Sequence, residues 1–167
     1  MAKENGQAAG SIVYENVCNI WARCYGPSRK NACWLVNQNA DPQLLKMSNK
    51  IQNAAGTDYV GGGPVYLAEG TAETAPYPAL LGRPVIPVEQ CSTLGTVGDI
   101  ILADLSQYML ADRGMRVSSS IHVEFASDQV CFRFVQRIAG QPTWKTPVTP
   151  KNGTDSLSPF VALATRA

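Results

Sequence analysis

His122, Glu124 and Cys131 are the residues of this chain whose types and spacing could do covalent chemistry. A thiol beside an imidazole, the imidazole steered by a carboxylate, is the working arrangement of a cysteine hydrolase. His122 and Glu124 stand two residues apart on a strand pattern, and Cys131 follows shortly after the next turn, so a hairpin would bring them into one neighbourhood. The pattern lacks a nucleophile elbow, a helix N-terminus near the thiol and a pocket signal. His122 therefore reads first as a solvent-facing side chain on the polar face of a ribbon. The other cysteines, Cys18, Cys24, Cys33 and Cys91, bring the total to five, an odd set without a Cys-x-x-Cys pair. Cys18 and Cys24 fall on one helix pattern at a spacing that points them in different directions, a poor metal pair. The set reads as buried or half-buried thiols of a cytosolic protein. Gly61-Gly62-Gly63-Pro64 lacks the Lys-Ser/Thr of a phosphate-binding loop and has no helix start behind it. No catalytic residue, cofactor or metal site is assigned.

Four arginines are a further chemical feature. Arg133 and Arg137 share a strand face, with Arg113 and Arg116 nearby. They form either a solvated face or a row of contacts toward another subunit or toward nucleic acid. Four guanidiniums are too few for tight phosphate binding, which comes from neutralising many phosphates at once.

The elements that would position these residues follow from periodicity. Residues 1–10 read as an extended lead-in. Ser11 reads as the N-cap of a helix through about Cys24, with Val13, Val17, Ile20, Trp21 and Cys24 on one stripe; Gly26-Pro27 ends it. Ala32-Cys33-Trp34-Leu35-Val36 has the length of a buried strand. Asp41-Pro42 starts a second helix, its core face supplied by Leu44, Leu45, Met47 and Ile51, running to about Ala54. A long loop from Gly56 to Ala79 is broken only by Val65-Tyr66-Leu67. Three short strands follow: Pro84 to Val88, which its prolines confine to a sheet edge or an irregular strand, Asp99 to Ala103, and Gln107 to Ala111.

The ribbon comes next. Val117, Ser119, Ile121, Val123 and Phe125 alternate with Ser118, Ser120, His122 and Glu124, the period of a strand with one buried face. Ala126-Ser127-Asp128 makes the turn. Val130, Phe132, Phe134 and Ile138 return, alternating with Cys131, Arg133, Val135 and Arg137. Each arm spans about nine residues. Trp144 to Val148 and Ser158 to Thr165 read as final strands, and Trp21, Trp34 and Trp144 as core anchors.

Composition limits the function classes. With 167 residues and 45% hydrophobic content, the chain can bury one core with a small appendage. Only 16% of residues are charged, below the usual quarter, as befits a surface that becomes interface. Net charge is +1 with no basic block, which excludes the electrostatic footprint of a tight nucleic-acid binder. No apolar run reaches the roughly 18 residues that span a bilayer, and the polar N-terminus is not a signal peptide.

The order of motifs resembles the C-terminal portion of tailed-phage and prophage major capsid proteins of the Hong Kong 97 type. The resemblance is carried by Gly6-Gln7-Ala8-Ala9-Gly10 before a helix, Trp34-Leu35-Val36-Asn37, Pro42-Gln43-Leu44-Leu45, Leu80-Leu81-Gly82-Arg83-Pro84-Val85, Gly98-Asp99-Ile100-Ile101-Leu102-Ala103-Asp104, Tyr108, Phe132-Arg133-Phe134-Val135-Gln136-Arg137 and Ser158-Pro159-Phe160-Val161. It implies an α+β fold: an axial domain, a sheet flanked by helices, over 11–112 after the lead-in 1–10, and a peripheral β-ribbon with a C-terminal strand over 113–167. It implies a structural, non-enzymatic shell subunit that self-associates into pentamers and hexamers of an icosahedral head around double-stranded DNA. Gly61, Gly62, Gly63, Tyr66, Tyr77, Arg133 and Arg137 would face neighbouring subunits, the glycine loop near a capsomer axis.

Implied partners are the chain itself, a full-length capsid subunit, a scaffold or a portal, with at most weak contact to packaged DNA and none to membrane. The implied location is the virion, and the host cytoplasm during assembly. Family members are about twice this long; their N-terminal arm, extended loop and spine helix would precede Met1, leaving the apolar face of the ribbon without its helical cover. The alternatives are a truncated homologue that co-assembles with or redirects a full-length capsid protein and, more remotely, a hydrolase using Cys131 and His122.

Overall fold

The computed structural model describes residues 2, 4–49, 51–52, 59–69 and 77–166. The chain divides into two compact units, Met1–Leu105 with Thr146–Ala167, and Ser106–Lys145. The first contains helix α1 (Tyr14–Arg23), strand β1 (Cys33–Val36), the short helix α2 (Asp41–Leu45), strands β2 (Ile51–Gln52), β3 (Tyr59–Gly61), β4 (Tyr66–Leu67), β5 (Ala79–Leu80), β6 (Arg83–Pro87) and β7 (Ile100–Ala103). The second contains the ribbon strands β8 (Tyr108–Glu124) and β9 (Gln129–Pro142); strand β10 (Phe160–Ala162) returns to the first.

In the first unit a six-stranded sheet runs in the order β10-β7-β1-β6-β5-β4. Central β1 pairs antiparallel with β7 and parallel with β6, placing Trp34 beside Leu102 and Val85. Trp34, Val36, Leu80, Ile100 and Leu102 are fully buried and join Val17, Ile20 and Cys24 of the α1 stripe in one core with Leu44, Val161 and Leu163. Trp34 also satisfies its polar atom there, its indole N–H donating to the Leu80 carbonyl at 3.0 Å.

Helix α1 begins two residues later than expected, with Val13 and not Ser11 at the N-cap. Ser11 spends its hydroxyl on the Ala8 carbonyl at 2.7 Å, closing a turn. The helix start is organised by Asn16, whose Oδ1 accepts the Val13 N–H at 3.2 Å and the Gln7 Nε2 donor at 2.6 Å. At the other end Arg29 donates to the Cys24 and Ala22 carbonyls, both at 3.2 Å, and lies 5.4 Å from the centroid of the Trp21 ring. This cation serves the free carbonyls of the last turn. The lead-in is folded into the unit: Gly10 N–H donates to the Arg166 carbonyl at 3.0 Å.

Other expectations give way to tertiary pairing. Helix α2 stops at Leu45, because Met47 accepts the Val65 N–H at 3.4 Å and Ser48 bridges to Pro64, drawing the chain into strand pairing. Ile51, placed on the helix by its spacing, accordingly pairs with Gly61, placed in the long loop, in a small β2–β3 sheet; residues 53–58 and 70–76 lie outside the described set. β6 is interior in the sheet order despite its prolines. Its Val85 donates to Pro78 and its Val88 to Val36, while β5 pairs only as far as Pro84, so Pro87 lacks a donor where no strand remains to accept it. The C-terminal strand is only Phe160–Ala162, and it pairs with β7 in the main sheet, so the segment placed with the ribbon by the 113–167 boundary belongs with the first unit. Trp144–Val148 is not a strand: Val148 makes an isolated bridge to Leu157, and Trp144 is half-buried outside the core cluster.

The least foreseeable element of this unit is a buried ion pair. Arg166 and Asp99 have fully buried side chains, with the guanidinium on both carboxylate oxygens, one of them at 3.4 Å. Asp99 also accepts the Gly95 and Ile100 N–H groups at 3.0 and 2.9 Å, and Arg166 N–H donates to the Gly95 carbonyl at 2.8 Å. Gly95 has φ +94° and a Cβ there would stand 3.0 Å from Gly10 Cα, so only glycine lets the two terminal segments meet at this turn.

Candidate assembly surface

The ribbon is built by alternation. Seventeen residues of β8 pair with fourteen of β9, far beyond the arms of nine read from the sequence, because the Gln107–Ala111 stretch continues into the ribbon instead of ending. The join is a bulge at Arg113-Gly114: Asp112 pairs with Ile138, but the next pair is Met115 with Gln136, one residue longer on β8. Gly114 takes φ +72° there, and its N–H donates to Asp112 Oδ1 at 2.8 Å. The bulge keeps side chains on their faces: Leu110, Met115 and Val117 stay with Phe132, Phe134 and Ile138. At the tip Asp128 closes the turn in the left-handed region, φ 52°.

The period implies a face suited to burial, and the resemblance leaves that face without its helical cover. It is exposed: Val117 is 55% exposed, Phe134 63% and Phe132 65%. The alternation correctly reads a strand, and among the described residues nothing covers this face. At the ribbon base Tyr108 lies over Gly140, where a Cβ would meet the ring at 2.6 Å, so the glycine is a seat for the tyrosine.

The opposite face carries Cys131, Arg133, Val135 and Arg137 of β9 against Ser120, Ser118 and Arg116 of β8. Arg113, Arg116, Arg133 and Arg137 line one recess of about 260 Å³ with Ser118 and Val135. The structure thus brings together all four arginines singled out in the sequence. The ion pairs among the described residues are Arg23–Asp155 and Arg166–Asp99, so none of the four has a carboxylate partner there.

The remaining candidates lie in the first unit. Gly61 ends β3, Gly62 and Gly63 are exposed, and Tyr77 is exposed. Tyr66 is different: it is half-buried against the core, paired with Leu80, and its phenol is pushed up by burial and by the nearby Asp41 and Glu69 carboxylates. Part of its ring is thus spent on packing within the unit.

The covalent chemistry considered first finds no frame. Cys131 stands opposite Ser120, whereas His122 sits exposed in the irregular stretch beyond it, its backbone N–H on Ser120 Oγ at 3.3 Å. Among the described residues no three His, Cys, Asp or Glu side chains cluster as metal ligands would. Burial pushes the Cys24 and Cys33 thiols up, with Asp104 adding to the shift in both and Arg29 opposing it at Cys24. In native protein at mildly alkaline pH, Cys24 and Cys33 should be alkylated at least about tenfold more slowly than Cys131, because thiolate and access are both scarce. Peptide mass spectrometry of iodoacetamide adducts checks this; equal labelling would show the core to be open.

Comparison with known proteins places this architecture. A family model described as the phage capsid family matches residues 2–151. No curated protein sequence matches the chain. Among solved structures, the capsid of an empty GTA (gene transfer agent) particle computed with C5 symmetry is similar at 19% identity and a TM-score of 0.60, over 100% of this chain and 54% of that one. The capsid of a native GTA particle computed with C5 symmetry is similar at 19% identity and a TM-score of 0.59, over 100% of this chain and 49% of that one. The chain therefore spans about half the length of these capsid chains, and at this identity the likeness is one of fold.

Proposed function

The chain belongs to the phage capsid family, and on that premise we propose that it is a shell subunit of the Hong Kong 97 type that self-associates into capsomers around packaged double-stranded DNA. It is a structural protein, not an enzyme. In this reading the six-stranded unit is the axial domain, the β8–β9 ribbon belongs to the peripheral sheet, and the exposed glycines with Tyr77 face a capsomer axis. The C5 symmetry of the similar particles supports capsomers of five. Because the chain spans about half of those capsid chains, closure of a head is proposed together with segments matching the other half.

One observation carries the reading: the uncovered apolar face of the ribbon. Leu110, Met115, Val117, Phe132, Phe134 and Ile138 are each more than half exposed on a ribbon too thin to be independently stable in water. Contiguous apolar surface of this kind marks a protein–protein interface. Neighbouring capsid segments would cover it in a shell. Sedimentation velocity over a wide concentration range tests this. A weight-average sedimentation coefficient that climbs with concentration is the expected result. A constant monomer value throughout would remove self-association from the reading.

A further inference from the structure

Charge is sorted by position along the arginine face of the ribbon. Glu124 pairs with Gln129, which puts it on the same face as Cys131, Arg133 and Arg137. Its carboxylate is held by the Ser127 hydroxyl at 3.1 Å, and Asp128 follows in the exposed turn. The tip is therefore acidic and the stretch toward the base is cationic. Four like charges without counter-charges repel one another and call for an anionic partner. The tip of the same ribbon cannot serve. At about 3.3 Å per residue, Gln129 lies ~13 Å from Arg133, beyond the ~8 Å screening length at physiological salt. Midway between them Cys131 stands opposite Ser120, two small side chains that allow a second surface to come close.

We propose that two copies of this chain pair through this face, antiparallel about a two-fold axis near Cys131 and Ser120. Each copy seats its tip carboxylates, Glu124 and Asp128, on Arg116 and Arg133 of the other. A two-fold contact must be self-complementary, and a face that is acidic at one end, small in the middle and basic beyond meets that condition when reversed upon itself. Register decides the fit: counted on β9, the step from Gln129, which pairs with Glu124, to Cys131 equals the step from Cys131 to Arg133, the two extra residues of β8 being taken up in the irregular stretch, so reversal about the middle puts acid over base. This rests on self-association of the subunit and names one of its contacts.

The test traps the dimer through Cys131. The chain with Cys18 and Cys91 replaced by serine, exposed to a short bis-maleimide, should give a Cys131–Cys131 linked dimer. Glu124→Lys with Asp128→Lys should lower its yield about tenfold or more, and so should Arg116→Glu with Arg133→Glu. Mixing the two variants, one carrying a mass tag, should restore a tagged–untagged dimer, which also shows that both remain folded.

No Cys131-linked dimer from a chain that still associates by sedimentation would overturn this contact and leave self-association standing. Loss in the arginine variant alone, with the acidic-tip variant unaffected, would also overturn it and assign the recess to another anion, such as a nucleic-acid backbone. A chain monomeric at every concentration would remove both this contact and the self-association beneath it.

Discussion

Replacing Arg166 by methionine should cost the first unit about 3–5 kcal/mol of folding stability, the usual loss when one partner of a buried ion pair is removed. The reason is the orphaned carboxylate. Asp99 is fully buried, and its two remaining donors, the Gly95 and Ile100 N–H groups, are neutral dipoles that do not balance a full charge. Lysine is no substitute, since an ammonium does not span both oxygens as the guanidinium does. Removing both charges with Arg166→Met and Asp99→Leu should not restore stability fully, because the Gly95 and Ile100 N–H groups would then be buried without an acceptor. Guanidinium unfolding followed by tryptophan fluorescence, with Trp34 buried in the same core, reads the effect directly. A loss below about 1 kcal/mol, the range of surface pairs, would mean that water reaches the pair.

The double substitution Phe132→Ser and Phe134→Ser should weaken self-association by about 10²- to 10⁴-fold while leaving the fold of the first unit unchanged. Each phenylalanine is about two-thirds exposed in the single chain and would give up about 1.5–3 kcal/mol of burial at an interface. Two of them account for the two to four decades, at about 1.4 kcal/mol per decade. Because exposed side chains contribute little within the subunit, the unfolding midpoint should move by no more than about 0.5 kcal/mol equivalent. Sedimentation equilibrium of both proteins separates the effects. An unchanged association constant would show that the apolar face stays uncovered in the assembly and that contacts lie elsewhere.

The core strand was legible because Trp34-Leu35-Val36 is short, apolar and bounded by asparagines, and α1 because four of its stripe positions pack as spaced. The ribbon was legible in its alternation but not in its length. The bulge at Gly114 breaks the period by one residue, and only the hydrogen bond to Asp112 explains how the strand continues through it. Helix α2 misled because Leu44, Met47 and Ile51 repeat at helical spacing, while pairing with Pro64 and Val65, distant in sequence, decided the outcome. Arg166 was invisible: a lone arginine near a terminus reads as solvated, and nothing local ties it to Asp99. At the candidate surface the four arginines were found, their shared face following from strand period. The alternation places Glu124 on that same face, but the irregular step between Ser120 and Glu124, which adds two residues to β8, was not legible. The packing of Tyr66 against the core was not legible, because a tyrosine in a Gly- and Pro-rich stretch gives no local sign of it.

Negative-stain electron microscopy of the associated fraction tests most directly whether this chain is a capsomer-forming subunit. Ring-shaped particles whose class averages show five- or six-fold symmetry are the expected result. Association into asymmetric aggregates, or no particle larger than a monomer at any concentration, would contradict it.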